Sequence, residues 1–139
     1  MKKYFGAIAL SLIAFACSNA NVENEKVVKQ MFEYFNQHEW QKMAAQYSDK
    51  AEFLDPSFGV EYVTKTREET AAKYAEMQKM FPDLHDEVVG MYSVGDKVVV
   101  EFVATGSSGD SIQFKLPIAS VLTIKDGKIV KDATYYDNQ

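Results

Sequence analysis

The sequence predicts an α+β domain, and three observations carry that prediction. Apolar residues recur at three- and four-residue spacing through the first half of the chain. After Pro82 the spacing drops to two. Helices then come first and strands follow as a meander, instead of alternating as βαβ units. A strongly curved sheet is therefore expected to wrap around the helices and leave a cavity between the layers.

Length and composition fit one globular domain: 139 residues, 47% hydrophobic and 25% charged. Acidic residues outnumber basic ones 20 to 15, and such a surface repels phosphate backbones, so nucleic acid is not an expected partner. One cysteine excludes an intrachain disulfide and a cysteine-based zinc cluster.

Residues 1–16 read as a signal peptide. Lys2 and Lys3 precede an uncharged run from Tyr4 to Ala16, shorter than the roughly 20 residues a membrane-spanning helix needs. The run ends in Ala14-Phe15-Ala16, a small-x-small cleavage pattern. Cys17 follows at once, and the phrase Ala14-Phe-Ala-Cys17 resembles the lipobox of bacterial lipoproteins, although Ala14 stands where leucine is usual. The resemblance implies lipidation of Cys17 and anchoring on a membrane facing the periplasm or exterior. The alternative is ordinary signal-peptidase cleavage, giving a soluble periplasmic or secreted protein. Residues 17–24 then read as a tether and 25–139 as the domain. Loss of residues 1–16 leaves 13 basic against 20 acidic residues.

From Glu25 the spacing of Val27, Val28, Met31, Phe32, Tyr34 and Phe35 predicts an amphipathic helix, which hesitates at Asn36-Gln37-His38. Trp40, Met43, Ala44 and Tyr47 predict a second, short helix, and Ala51–Asp55 a brief strand closed by Pro56 and Gly59. Thr66-Arg-Glu-Glu69 is a capping box opening a helix through Ala71, Tyr74, Ala75 and Met77. That helix ends at Phe81, because Pro82 disfavours helical angles in the residue before it. Strands are predicted over Leu84–Val94, Lys97–Thr105, Ser111–Lys125 and Lys128–Asp137, with tight turns at Gly95-Asp96 and Asp126-Gly127. Val98, Val100, Phe102 and Ala104 share one face; Ile112, Phe114, Leu116, Ile118, Leu122 and Ile124 share one parity. Pro117 points to a bulge or an edge at which that parity can flip.

Taken together the pieces resemble the nuclear transport factor 2-like superfamily, and within it the SnoaL-like polyketide cyclase group. The residues concerned are Phe35-Asn-Gln-His-Glu-Trp40, Ala51-Glu-Phe-Leu-Asp-Pro56, Phe81-Pro-Asp-Leu84, Gly95-Asp-Lys-Val98, Asp126-Gly-Lys-Ile129 and Tyr135-Tyr-Asp137. The likeness spans about residues 25–138. It implies a cone-shaped α+β barrel with N-terminal helices in the concave face of a mostly antiparallel sheet, an apolar pocket inside, and a homodimer formed through the outer sheet.

The same resemblance points to Asp137 as general acid/base, since the family's aspartate ends the last strand, with Tyr135 positioning the substrate. Asp55, at a strand end before Pro56, is a further catalytic candidate. Asp83 reads as a turn aspartate. The epoxide-hydrolase branch carries Trp-Arg-Asp-Tyr-Phe-Asp where this chain has Asp132-Ala-Thr-Tyr-Tyr-Asp137, so Ala133 and Thr134 replace that branch's Arg and first Asp. No histidine follows Asp55, where SnoaL-like cyclases often have one.

Of the 18 aromatic residues, Tyr34, Trp40, Phe53, Phe81, Phe102 and Phe114 are candidates to line a ligand pocket. His38 and His85 are far apart and lack a ligand spacing, and no metal or cofactor is expected. The sequence thus reads as an exported pocket protein for a small apolar molecule, either an acid/base isomerase or cyclase or a non-catalytic binding or interaction module. Cys17→Ala is expected to release the protein from membranes on fractionation; continued membrane retention would count against the lipid anchor.

Overall fold

The computed structural model describes residues 9–110 and 112–137. Lys2 and Lys3 lie outside them, as does Ser111, where the third predicted strand begins. Three helices, α1 (Ala9–Asn36), α2 (Trp40–Ala44) and α3 (Arg67–Met80), pack against six strands. The strands are β1 (Tyr47–Leu54), β2 (Val63–Thr66), β3 (His85–Val94), β4 (Lys97–Ser108), β5 (Ile112–Lys125) and β6 (Lys128–Tyr135). They form one sheet in the order β2-β1-β6-β5-β4-β3, antiparallel except for the β1–β6 pair. The sheet curves without closing. This is the α+β architecture expected from the change of period, in the cone shape that the family resemblance implies.

Helix α1 lays Val28, Met31, Phe32 and Phe35 into the concave face, all buried. Their three- and four-residue spacing puts them on one stripe of the helix. The fully buried Val28, Met43, Val98, Val100, Leu122 and Ile129 tie helices to sheet, each such side chain contributing about 1.5–3 kcal/mol. No described helix is long and apolar enough to cross a membrane. Ser18–Asn24, expected as a tether, are helical and lie within α1. This stretch is held to the end of β3: Ser93 Oγ donates to the Asn21 carbonyl at 3.3 Å, and Asn24 Nδ2 to the Gly95 carbonyl at 3.1 Å.

The hesitation at the end of α1 is a turn with His38 at φ 56°. Such an angle is unusual for a residue with a Cβ, and three side-chain bonds hold it. His38 Nε2 bonds the Leu84 carbonyl at 2.7 Å, Gln78 Nε2 bonds His38 Nδ1 at 2.8 Å, and Trp40 Nε1 donates to Gln78 Oε1 at 2.8 Å. Trp40 also stacks on the His38 ring, with centroids 5.2 Å apart.

Helix α3 opens with the expected capping box: Glu69 N donates to Thr66 Oγ1, and Thr66 N to the Glu69 carboxylate. Phe81 is its C-cap.

Tyr47 is the first residue of β1 and not part of α2; α2 ends after five residues, and the chain turns to pair with β6. Strand β2 has four residues and too little periodicity to be read from sequence. Parity along β5 does not flip at Pro117. β4 and β5 stay in register from Lys97↔Thr123 to Ser108↔Ile112, while β6 reaches only Ala119↔Tyr135. Pro117 therefore lies beside an open edge, where a missing N–H is tolerated.

Candidate functional site

The register lines up the concave-face side chains in rows across the sheet. Asp86, Ala104 and Leu116 form one row; Val88, Phe102 and Ile118 the next; Met91, Val100, Ser120 and Thr134 another. Ser93, Val98, Leu122, Asp132 and Phe53 form a further row. Between these rows and helices α1 and α3 lies a cavity of about 320 Å³. Its walls include Met31, Phe32, Phe35, Phe81, Phe102, Phe114, Leu116 and Ile118, and its polar groups are Asp55, Ser57, Lys73, Tyr47, Tyr74, Asp86, Ser120, Asp132, Thr134 and Tyr136. Small residues keep it open on the β4 side. A Cβ at Gly106 would stand 2.6 Å from the Phe114 ring, so glycine there allows that ring to lie flat against the strand.

Three carboxyl groups face this hollow in three environments. Asp55 accepts from Ser57 N and Oγ at 2.8 and 2.7 Å, from Tyr136 Oη at 2.8 Å, and pairs with Lys73 Nζ at 3.1 Å. Burial pushes its carboxyl up, but the Ser57 bonds and the Lys73 charge outweigh this and hold it below the usual range. Asp132, 7% exposed, accepts from Tyr47 Oη at 2.8 Å and from Thr134 Oγ1 at 3.0 Å. Burial raises its carboxyl, and the two hydrogen bonds offset only part of that.

Asp86 is 6% exposed, and among the described residues its carboxyl oxygens have no hydrogen-bond partner. Its backbone is fixed instead: Asn36 Nδ2 donates to the Asp86 carbonyl and Asp86 N donates to Asn36 Oδ1, both at 2.8 Å. Burial alone raises the carboxyl from 3.8 to about 7. Tyr74 is the hydroxyl counterpart. Burial, followed by the charges of Asp132, Asp55 and Asp86, raises it well above the ordinary tyrosine value. It stays protonated, and no hydrogen bond within the described residues occupies its hydroxyl.

Of the residues singled out in the sequence, Asp55, Phe81, Phe102 and Phe114 line the cavity. Trp40 belongs to the His38–Gln78 network and borders an open groove between α2 and α3. Phe53 packs on Tyr47 and borders a small hollow with Phe58 and Lys73. Tyr34 lies beneath Lys42 on the helical side. Tyr135 is 53% exposed and Asp137 is exposed; neither lines the cavity. Strand parity is the reason: Asp132, Thr134 and Tyr136 turn inward, so Tyr135 turns outward. Asp83, by contrast, accepts from Ser107 N at 2.6 Å and acts as a turn residue.

Sequence reasoning missed Asp86, Asp132 and Tyr74 as site residues. Asp86 shares the parity of Leu84, a usable signal hidden by the polar run His85-Asp86-Glu87. For Asp132 the signal was absent, because an irregularity in the β5–β6 register lets both Ile129 and Asp132 face inward.

An open α+β cone with a hollow, acid-bearing interior is the nuclear transport factor 2-like architecture. Residues 28–131 match the family model described as the SnoaL-like domain, and the chain belongs to that family. No curated protein matches the sequence at a significant level. Similar solved structures include a protein with a ketosteroid isomerase-like fold from Catenulispora acidiphila in complex with trimethylamine. It is 22% identical at a TM-score of 0.71, over 81% of this chain and 85% of that one. IdmH from Streptomyces antibioticus, named as a candidate polyketide cyclase, is 21% identical at 0.72, over 83% and 92%. An LEH-like epoxide hydrolase from M. tuberculosis is 16% identical at 0.72, over 85% of each. At these identities the likeness establishes the fold.

The Asp86 environment has a consequence for stability. The folded carboxyl holds its proton more tightly than the unfolded one, so the stability it contributes is present in acid and lost as pH rises from about 4 to about 7. Asp86→Asn is expected to raise stability at about pH 8 by a few kcal/mol relative to its effect at about pH 4, measured by urea unfolding. An equal effect at both pH values would contradict the buried, unpartnered state.

Proposed function

We propose that this protein is an exported pocket protein that binds a small hydrophobic carbonyl compound and moves a proton on it, as an isomerase or cyclase. The observation that carries this reading is Asp86, a carboxyl buried in an apolar hollow without a partner and poised near neutrality. The names of the similar structures, which include a protein with a ketosteroid isomerase-like fold and a candidate polyketide cyclase, support the same class.

In this reading the Asp86 carboxylate takes a proton from the carbon beside the carbonyl. The C–H bond breaks, its electron pair passes into the enolate, and Asp86 becomes the neutral acid. The Tyr74 hydroxyl donates to the enolate oxygen as negative charge develops there. Return of the proton to a different carbon gives an isomer; attack of the enolate carbon on a second carbonyl closes a ring, the C=O π pair passing to that oxygen, which then takes the proton held by Asp86. Asp55, committed to Lys73 and Tyr136, stays ionised and shapes the wall. Asp137, outside the cavity, is not the proton carrier here.

Deuterium uptake by small cyclic enones in heavy water, followed by NMR, tests this. Asp86→Asn is expected to lose about 10²-fold or more of the exchange rate, and Tyr74→Phe a comparable factor, with Asp137→Asn unchanged. Ligand binding without any exchange would leave a non-catalytic binding protein.

The outer face of the sheet supports a homodimer. Tyr92, Val99 and Val121 form an outward row, with Val103, Ala119 and Tyr135 beside it, all partly or fully exposed. Val99→Glu is expected to convert the dimer to a monomer in sedimentation; a wild-type protein that is already monomeric refutes the assembly.

A further inference from the structure

The charges in the cavity do not balance. Three carboxyl groups line it, while the single lysine among the described lining residues, Lys73, is spent on Asp55 at 3.1 Å. Asp86 and Asp132 therefore face the hollow with no cation between them. Asp132 at least has the Tyr47 and Thr134 hydroxyls; Asp86, more than nine-tenths buried, has nothing.

The rows of the sheet place aromatic rings on both sides of Asp86. In one adjacent row Phe102 carries the Phe32 ring edge-on at 5.0 Å. In the other, Phe114 meets Phe81 at 5.0 Å, nearly perpendicular. Ala104, paired with Asp86 across the strands, leaves the space in front of the carboxyl unfilled. A carboxylate without a donor of its own, in a hollow whose lining includes these aromatic rings, attracts a weakly hydrated organic cation.

We infer that the ligand of this cavity carries a substituted ammonium group, seated among Phe32, Phe102, Phe81 and Phe114 and facing Asp86 and Asp132. This rests on the reading of the cavity as a ligand site and deepens it. A monocation there faces the one cavity carboxyl that lacks a hydrogen-bond donor among the described residues, while Asp132 keeps those from Tyr47 and Thr134.

Phenyltrimethylammonium and its carbon isostere tert-butylbenzene have the same shape and differ in charge. Binding of each to the full-length protein, measured by NMR titration at about pH 8, where Asp86 is ionised, is compared with Asp86→Asn. The expected result is a loss of about tenfold or more for the cation and little change for the neutral probe. Asp132→Asn, whose carbonyl still accepts from Tyr47, is expected to weaken the cation selectively too. Equal effects of Asp86→Asn on both probes, or none on the cation, overturn the inference. Exchange on neutral enones without cation selectivity would overturn it while leaving the proposed function standing; cation selectivity without exchange would do the reverse.

Discussion

Asp86 is held in place by its backbone, and the site depends on that arrangement. The Asn36 side-chain amide, at the end of α1, bonds both backbone groups of Asp86 on the edge strand β3. An edge strand has unpaired N–H and C=O groups, and here two of them are satisfied by the helix. The clamp joins the helical layer to the sheet at the point where the carboxyl enters the hollow. Because the clamp uses none of the carboxyl oxygens, they remain free to meet a ligand.

Burying a carboxyl group without a partner is costly, and the group responds by holding its proton. The molecule offsets this with packing elsewhere, in a core that includes Val28, Met43, Val98, Val100, Leu122 and Ile129. The contrast with its two neighbours is a matter of local donors. Ser57, Tyr136 and Lys73 hold Asp55 below the usual carboxylate range; burial raises Asp132, against the hydrogen bonds from Tyr47 and Thr134. One cavity thus contains three chemically different carboxyl groups.

Strand β6 pairs only along the half of β5 nearest the Asp126-Gly127 turn, so the other half diverges toward β4 and β3. Phe81 and Phe114, in contact with each other, and Tyr47 and Asp132, hydrogen-bonded to each other, all line the cavity.

Much of the architecture was legible in the sequence because it depends on local rules. The capping box at Thr66, the stop at Pro82, the turns at Gly95 and Asp126 and the two periodicities each act within a few residues. The site was legible only in part. Phe102 and Phe114 sit on clean strand alternations and could be placed on the inner face, and Phe81 ends the apolar stripe of α3. Tyr135 and Asp137 could not be separated from Tyr136, because a single residue of register reverses the face, and only pairing with β5 fixes it. The sequence by itself determined the elements, their order and the apolar stripes. Tertiary structure decided which acids meet in the hollow and which of them lack a partner, because proximity across strands and loss of water arise only when distant segments pack.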